Sequence, residues 1–124
     1  MRVGLAVDAR LKLAEVADAF SGAAMLDEPL ASHSRAGIGG PADLLLVPGS
    51  RDEMIQAIRL VTAAGVPWRI YGGLTNILLP DSGLRGAVIL NQARRVAFDE
   101  ELHRVHAESG AIVVKVAREA VRRG

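Results

Sequence analysis

The chain has 124 residues, half of them apolar, and a formal net charge of +1 at pH 7. This length suits one small domain, and the scattered, nearly balanced charges argue against nucleic acid or an anionic membrane as the partner. Cysteine is absent, which excludes disulfides, thiolate metal sites and cysteine nucleophiles. No run approaches the ~18 apolar residues of a membrane span, and no secretion signal is visible. A cytoplasmic protein is therefore expected.

The first predicted element is an amphipathic helix in residues 8–25, which makes residues 1–25 an N-terminal helical segment. Asp8 is available as its N-cap and Gly22 as its terminator. The apolar residues at helical spacing are Leu13, Val16, Ala17 and Phe20. Residues 26–43 are rich in Pro, Gly and Ser, so an irregular lead-in is predicted there.

A βαβ unit is predicted next, at about residues 41–91. The run "ADLLLVP" predicts a buried strand that its proline ends. Ser50 and Glu53 form the S-x-x-E pattern of a capping box, in which each side chain satisfies the other's backbone N–H. Gly65 ends that helix as a C′ glycine. "PWRIY" and "LRGAVIL" predict two further strands, and the most apolar runs should be buried on both faces.

Residues 92–124 predict a hairpin, "RVAFDEELHRVHAES", with an acidic tip, and then a final helix. The apolar face of that helix comprises Val113, Val116, Ala117, Ala120 and Val121. The predicted class is α+β, with an α/β-type βαβ core: a small parallel-containing sheet with flanking helices, followed by a hairpin and a helix. Three helices cover such a sheet only thinly, so we expect self-association through an uncovered face.

The glycine-containing stretch "YGGLTNILLP", residues 71–80, follows a predicted strand. Gly72 and Gly73 can adopt positive φ and expose backbone N–H groups, which in successive turns form an anion site. Thr75 and Asn76 add side-chain donors at the edge where open parallel sheets bind ligands. The stretch matches neither G-x-G-x-x-G nor the Walker pattern. The residues alone favour an ordinary turn over a phosphate cradle, and both readings stay open.

Several motifs in order resemble the UDP-N-acetylenolpyruvoylglucosamine reductase (MurB) family. "PLASHS" resembles its P-L-x-x-H-T, and "IGGPAD" resembles its lead into the first strand. "YGGLTNILLPDSGLRGAVI" resembles its G-G-G-S-N-L-L-x-x-D-x-G-x-R-G-x-V-I, and "HAESGAIVVKVAREAVRRG" its next strand, turn and helix. The resemblance covers residues 26–124 and implies an incomplete FAD-binding domain of the vanillyl-alcohol oxidase and p-cresol methylhydroxylase (PCMH) type. Its core would span about 41–91, and a second subdomain would begin at about 92–124.

The resemblance implies that the glycine loop wraps the FAD pyrophosphate. That role falls on Tyr71, Gly72, Gly73, Leu74, Thr75, Asn76 and Ile77. Gly110, within the turn formed by Glu108, Ser109, Gly110 and Ala111, would lie close to the cofactor.

In this family NADPH reduces FAD, and the flavin passes hydride to the enolpyruvyl group of a peptidoglycan precursor. The family's closing G-I-P-G-x-x-G-G segment and its substrate domain, with a serine acid and a supporting glutamate, have no counterpart here. We therefore expect a truncated chain with no catalytic residue, inactive alone, whose partners are FAD and a C-terminal substrate domain. The alternatives are a non-catalytic interaction half-domain that no longer binds flavin and a generic nucleotide-binding α/β domain.

Leu74 departs from the pattern, which has glycine at that position. If the position requires positive φ, a leucine there costs roughly 1–2 kcal/mol of backbone strain. Its side chain either intrudes where phosphate oxygens should lie or points away, and the sequence leaves both possibilities open.

Other candidate residues have plainer interpretations. His33 matches a histidine of the family, with packing or turn capping at least as suitable a role. His103 and His106 fall in a predicted strand, where they point in opposite directions, so no metal site is expected. Asp81 and Arg85 are expected to form a structural pair that shapes the loop exit.

Overall fold

The computed structural model describes residues 2–74 and 77–124, with side-chain burial from residue 7 onward. The elements in chain order are α1 (Arg2–Ala19), β1 (Ala23–Pro29), a short 3₁₀ helix (Leu30–His33), β2 (Pro41–Val47), α2 (Arg51–Ala64), β3 (Trp68–Tyr71), β4 (Leu84–Leu90), β5 (Val96–Asp99), β6 (Arg104–Ala107) and α3 (Val113–Arg123).

The main sheet has four strands in the order β1-β2-β4-β3. β2 and β3 both run parallel to β4, which lies between them, whereas β1 joins the outer side of β2 in antiparallel pairing. β5 and β6 form a separate antiparallel hairpin. The predicted α+β class with a βαβ core and a following hairpin and helix is confirmed.

Helix α2 follows its local sequence signals. The Ser50 hydroxyl accepts a hydrogen bond from the Glu53 backbone N–H at 3.1 Å, which satisfies one donor of the first turn. The Glu53 carboxylate accepts from the Gly49 N–H at 3.0 Å, one residue before the partner that a reciprocal capping box requires. Gly65 ends the helix in the left-handed conformation, with φ of 68°.

The predicted helix over residues 8–25 is wrong at both ends. α1 begins at Arg2, so Asp8 lies inside the helix, and the helix ends at Ala19. Residues 23–29, part of which was expected to be irregular, form β1 because their backbone groups pair with β2, as in the register Met25 opposite Leu45. Hydrogen bonding to a strand that is distant in sequence here outweighs local propensity.

The central strands are buried on both faces, as their apolar runs predicted. Leu44 and Leu46 belong to a core that α1 and α2 cover, whereas Leu45 faces a second core on the opposite side of the sheet, as the alternation of strand side chains requires. The buried members of this second core are Leu30, Ala42, Leu45, Leu74, Leu79, Val88 and Leu90. The second face is therefore closed by the 3₁₀ helix and by the segment that follows β3.

The pairing of β2 with β4 shifts register between Ala42 and Leu44, and the Asp43 side chain bonds to β4 at this point. Its carboxylate accepts from the Gly86 N–H at 2.9 Å and lies 3.2 Å from the Arg85 guanidinium. The expected pair of Asp81 with Arg85 is therefore wrong: the register shift between β2 and β4 brings Arg85 beside Asp43 instead. Gly86, with φ of 88°, allows this close approach of the chain.

The hairpin and α3 lie outside the two cores. Arg123 of α3 bonds to Glu100 at the hairpin tip at 3.0 Å and lies 4.5 Å from the centre of the Phe98 ring. None of the residues of α3, all of which the structure describes, is buried, and Val113 and Val121 are 79% and 81% exposed. Self-association stays a prediction, with apolar surface on α3 as well as on β3. Among the described helices, none is both long and apolar enough to cross a membrane.

Gly86 should be intolerant of any side chain. A Cβ atom there would lie 2.2 Å from the Pro67 carbonyl oxygen, whereas a Cβ at Gly37, also at positive φ, would meet no described atom within 4 Å. Gly37→Ala should cost roughly 1–2 kcal/mol of unfolding free energy through backbone strain alone. Gly86→Ala should cost at least about 2 kcal/mol more, because the clash is with backbone. Urea denaturation of both variants measures the difference, and equal losses would contradict this account of the bulge.

Candidate functional site

The loops that follow the three parallel strands meet at one edge of the sheet. The Asn91 N–H, directly after β4, donates to the Tyr71 carbonyl at the end of β3 at 2.8 Å. The next N–H, from Gln92, donates to the Pro48 carbonyl after β2 at 2.9 Å. Because β4 lies between its two partners, these bonds join all three carboxyl ends, where ligands of open parallel sheets bind.

The glycine loop begins at this edge with Gly72, which is exposed. No described atom lies within 4 Å of the position that a Cβ at Gly72 would occupy, so the backbone here is open to a ligand. Ile77, a predicted site residue, is also exposed. Thr75 and Asn76, the predicted side-chain donors, lie outside the described residues, so their predicted roles remain predictions.

Leu74 adopts the left-handed conformation that the family's glycine would favour, with φ of 54°. Its side chain is only 4% exposed and belongs to the second core, together with Leu79 at the other end of the loop. Of the two possibilities left open, the structure therefore supports the second: Leu74 points into the protein, away from the loop surface. The backbone strain is present, and core packing offsets it.

Three of the first four backbone N–H groups of α2 already donate to groups of this chain. The Arg51 N–H donates to Glu108 Oε1 at 3.2 Å, and the Glu53 and Met54 N–H groups donate to oxygens of Ser50 at 3.1 and 2.9 Å. Acidic side chains also occupy the first turn, where the helix dipole favours negative charge. An anionic ligand would have to displace these groups, so the start of α2 is a poor anion site.

The predicted second turn reaches the same edge. The Gly110 N–H donates to the carbonyl of Ala93, three residues after the end of β4, at 2.8 Å. A Cβ at Gly110 would lie 2.7 Å from that carbonyl oxygen and 2.7 Å from Asn91 Oδ1, so only glycine fits against the strand end. Tyr71, from which the glycine loop starts, and Gly110 are far apart in sequence, yet both contact Asn91.

Glu108 joins this second turn to two other elements. One carboxylate oxygen accepts from the Arg51 N–H at the start of α2, and the other accepts from the Arg95 N–H at 2.9 Å, just before β5. Hydrogen bonds to a charged carboxylate are among the stronger ones in proteins. The carboxylate therefore fixes the hairpin relative to the βαβ core.

Asn91 is the functional candidate that sequence reasoning missed. It is 8% exposed and is the one buried polar residue in the described part of the chain. Its amide Nδ2 donates to Ser109 Oγ at 2.8 Å, and its Oδ1 accepts from the Ala93 N–H at 3.1 Å. The available signal was a polar residue directly after the apolar run "AVIL", at the carboxyl end of a strand.

Of the three described histidines, only His106 lines a cavity with residues of this edge, Ala93, Glu108 and Ser109. His33 is in the 3₁₀ helix, with Nε2 3.2 Å from Glu28 Oε1. His106 is in β6, as predicted, but His103 lies in the hairpin turn with φ of 50°, because the strand begins only at Arg104. His103 therefore belongs with the acidic tip rather than with the strand.

A family model described as an FAD binding domain matches residues 41–124. The UDP-N-acetylenolpyruvoylglucosamine reductase of Syntrophus aciditrophicus (strain SB) is 35% identical over 102 residues, 79% of this chain and 33% of that protein. That of Caldanaerobacter subterraneus subsp. tengcongensis is 40% identical over 97 residues, 77% of this chain and 32% of that protein. That of Trichlorobacter lovleyi is 38% identical over 107 residues, 86% and 35% respectively. The chain spans about one third of the length of these curated relatives.

Replacing Leu74 should separate backbone strain from packing. Leu74→Ala removes packing and keeps the strained φ, whereas Leu74→Gly removes both. The unfolding free energy of Leu74→Gly should therefore exceed that of Leu74→Ala by about 1 kcal/mol. Both variants should be less stable than wild type, because loss of the buried side chain costs roughly 2–5 kcal/mol. In Leu74→Gly the relief of strain offsets part of this loss.

The matched pair is Leu79→Ala and Leu79→Gly, because Leu79 is equally buried in the same core but has no left-handed φ. At position 79 the glycine variant should be less stable than the alanine variant, as is usual where φ is negative. Chemical denaturation measures all four midpoints. The same order at both positions would contradict the strain at Leu74.

Proposed function

We propose that this chain, which belongs to the FAD-binding domain family, is the flavin-binding part of a UDP-N-acetylenolpyruvoylglucosamine reductase. Family membership confirms the predicted resemblance and the predicted cofactor, FAD. The observation that carries the rest of the proposal is that Tyr71, at the start of the glycine loop, and Gly110 both bond to the residues that follow β4, at the carboxyl edge of the sheet. FAD is long enough to contact two turns, and we propose that the glycine loop binds its pyrophosphate while the Gly110 turn lies beside another part of the cofactor.

The described residues fit this cofactor. The open backbone at Gly72 would admit the pyrophosphate, and Tyr71, Gly73 and Leu74 would complete the cradle together with Thr75, Asn76 and Ile77. The negative charge of the pyrophosphate favours backbone N–H donors, which successive residues of a tight turn supply. Bound FAD would supply the redox chemistry, that of accepting and donating hydride.

The ends of the glycine loop are anchored by apolar burial. Leu74 and Leu79 lie in the second core, whereas Leu78 between them is 88% exposed. A large apolar side chain at the tip of a cofactor loop would exclude water from the bound group once something lies against it. We propose that Leu78 contacts either the cofactor or the protein segment that closes over it.

The complete reaction is a proposal for a larger assembly. The relatives are named as reductases, and the chain matches about one third of their length. We propose that NADPH is the reductant, that the product serves peptidoglycan synthesis, and that the catalytic acid comes from a substrate domain beyond the matched region. The competing function is an interaction module without flavin. One of its two sequence arguments is Leu74, and the burial of that side chain weakens this argument.

Flavin retention tests cofactor binding directly. After incubation with FAD and removal of free ligand, the purified chain should keep a visible flavin absorbance band, and a colourless chain would contradict the proposal. Gly72→Val should lower FAD affinity by at least tenfold, which is about 1.4 kcal/mol, because its side chain fills the open approach. Its melting temperature should stay unchanged. Ala36→Val, at an exposed position in the lead-in before β2, is the control and should bind as wild type does.

A chimaera tests the reductase assignment separately. Fusing this chain to the remaining C-terminal region of the Caldanaerobacter relative should give NADPH oxidation that depends on the enolpyruvyl substrate. The same chimaera with Gly72→Val should lose at least about tenfold in activity at limiting FAD. A folded, flavin-loaded chimaera that oxidises no NADPH with substrate would contradict the reductase assignment while leaving FAD binding intact.

A further inference from the structure

We infer that Asn91 is a positioning residue that couples the glycine loop to the Gly110 turn, so that the two turns hold a single dinucleotide. This inference rests on the proposed flavin site. Asn91 itself need not touch the ligand. Its backbone N–H bonds to Tyr71 at the start of the glycine loop, and its side chain bonds to Ser109 in the Gly110 turn.

The backbone of Asn91 sets where the glycine loop starts. Its N–H donates to the carbonyl of Tyr71 at 2.8 Å, and Tyr71 is the last residue of β3 before Gly72. The parallel pairing of β3 with β4 continues to this residue, with Tyr71 opposite Leu90. Any displacement of the end of β4 would therefore move the first residue of the loop.

The side chain of Asn91 sets where the second turn lies. The amide is buried, and both of its ends are used: Nδ2 donates to Ser109 Oγ at 2.8 Å, and Oδ1 accepts from the Ala93 N–H at 3.1 Å. A buried amide that loses a partner is costly, so the turn has one favourable position. Gly110 fits against the same Oδ1 so closely that a Cβ would lie 2.7 Å away.

An uncharged amide suits position 91 better than other side chains of similar size do. Aspartate would accept both hydrogen bonds if the Ser109 hydroxyl turned to donate, but it would add a negative charge beside the site proposed for a pyrophosphate. Leucine would fill the space and leave the Ser109 and Ala93 groups without their partner. Asparagine provides a donor and an acceptor without charge.

The coupling predicts different effects on two ligands. FAD reaches both turns, so its affinity depends on the distance between them. ADP carries the adenosine and the diphosphate without the flavin, so in this proposal it engages the glycine loop and does not reach the second turn. Loss of the Asn91 side chain should therefore weaken FAD while sparing ADP, a distinction that a general loss of stability would not produce.

Binding of FAD and of ADP would be measured by titration calorimetry for four proteins: wild type, Asn91→Ala, Ser109→Ala and the double variant. Asn91→Ala should weaken FAD about tenfold, the equivalent of about one hydrogen bond. ADP should change by less than about twofold. The double variant should be no weaker than Asn91→Ala, because both substitutions break the same bond. Asp99→Ala, which removes a side-chain acceptor for the Leu102 N–H at the hairpin tip, is the control and should change neither ligand.

Equal weakening of FAD and ADP, or additive effects of Asn91→Ala and Ser109→Ala, would overturn the inference. If Asn91→Ala does not fold, Ser109→Ala carries the test, because Ser109 is exposed. If wild type binds no FAD, the proposed function fails, and amide exchange in the free chain decides the coupling. Asn91→Ala or Ser109→Ala should then speed exchange at the Gly110 N–H by about tenfold relative to Asp99→Ala. Unchanged exchange would overturn the coupling.

Discussion

Two consecutive backbone N–H groups at the carboxyl end of β4 determine the arrangement of the candidate site. They bind the carbonyls of Tyr71 and Pro48, the residues at which the chain leaves the neighbouring strands. A central parallel strand is placed to do this because it has a partner on each side. The second turn then bonds to Ala93, and Glu108 carries the connection to the start of α2. The positions of the glycine loop, the second turn and the helix start therefore depend on how β4 ends.

Packing requires glycine at some positions of the recognised motifs and not at others. Gly86 and Gly110 lie so close to backbone carbonyls that a side chain could not fit, which is a requirement of packing. No described atom lies within 4 Å of a Cβ at Gly72, so packing against the described residues does not require glycine there. A motif that matches a family by its glycines does not by itself separate these two cases. Leu74 stands where the family pattern has glycine. It keeps the left-handed conformation, and its side chain packs in the second core.

Local signals predicted most of the fold. The cap at Ser50, the left-handed Gly65 and the apolar runs of the strands depend on residues close in sequence, and α2 and the βαβ unit follow from them. β1 could not be predicted in this way, since its pairing with β2 is made across the irregular lead-in. The partner of Arg85 and the role of Asn91 also depend on contacts distant in sequence. The two cofactor turns came from resemblance to a family, and that they meet at one edge came only from the structure.

The central claim is that one edge of the sheet holds FAD through both turns. Amide chemical shifts of the isotope-labelled chain, recorded by NMR with and without FAD, test it most directly. We predict that the largest changes fall on Gly72 and Leu74 in the glycine loop and on Gly110 and Ala111 in the second turn. The hairpin tip and α1 should be unaffected. Changes at only one turn, or a response centred elsewhere on the chain, would contradict the claim.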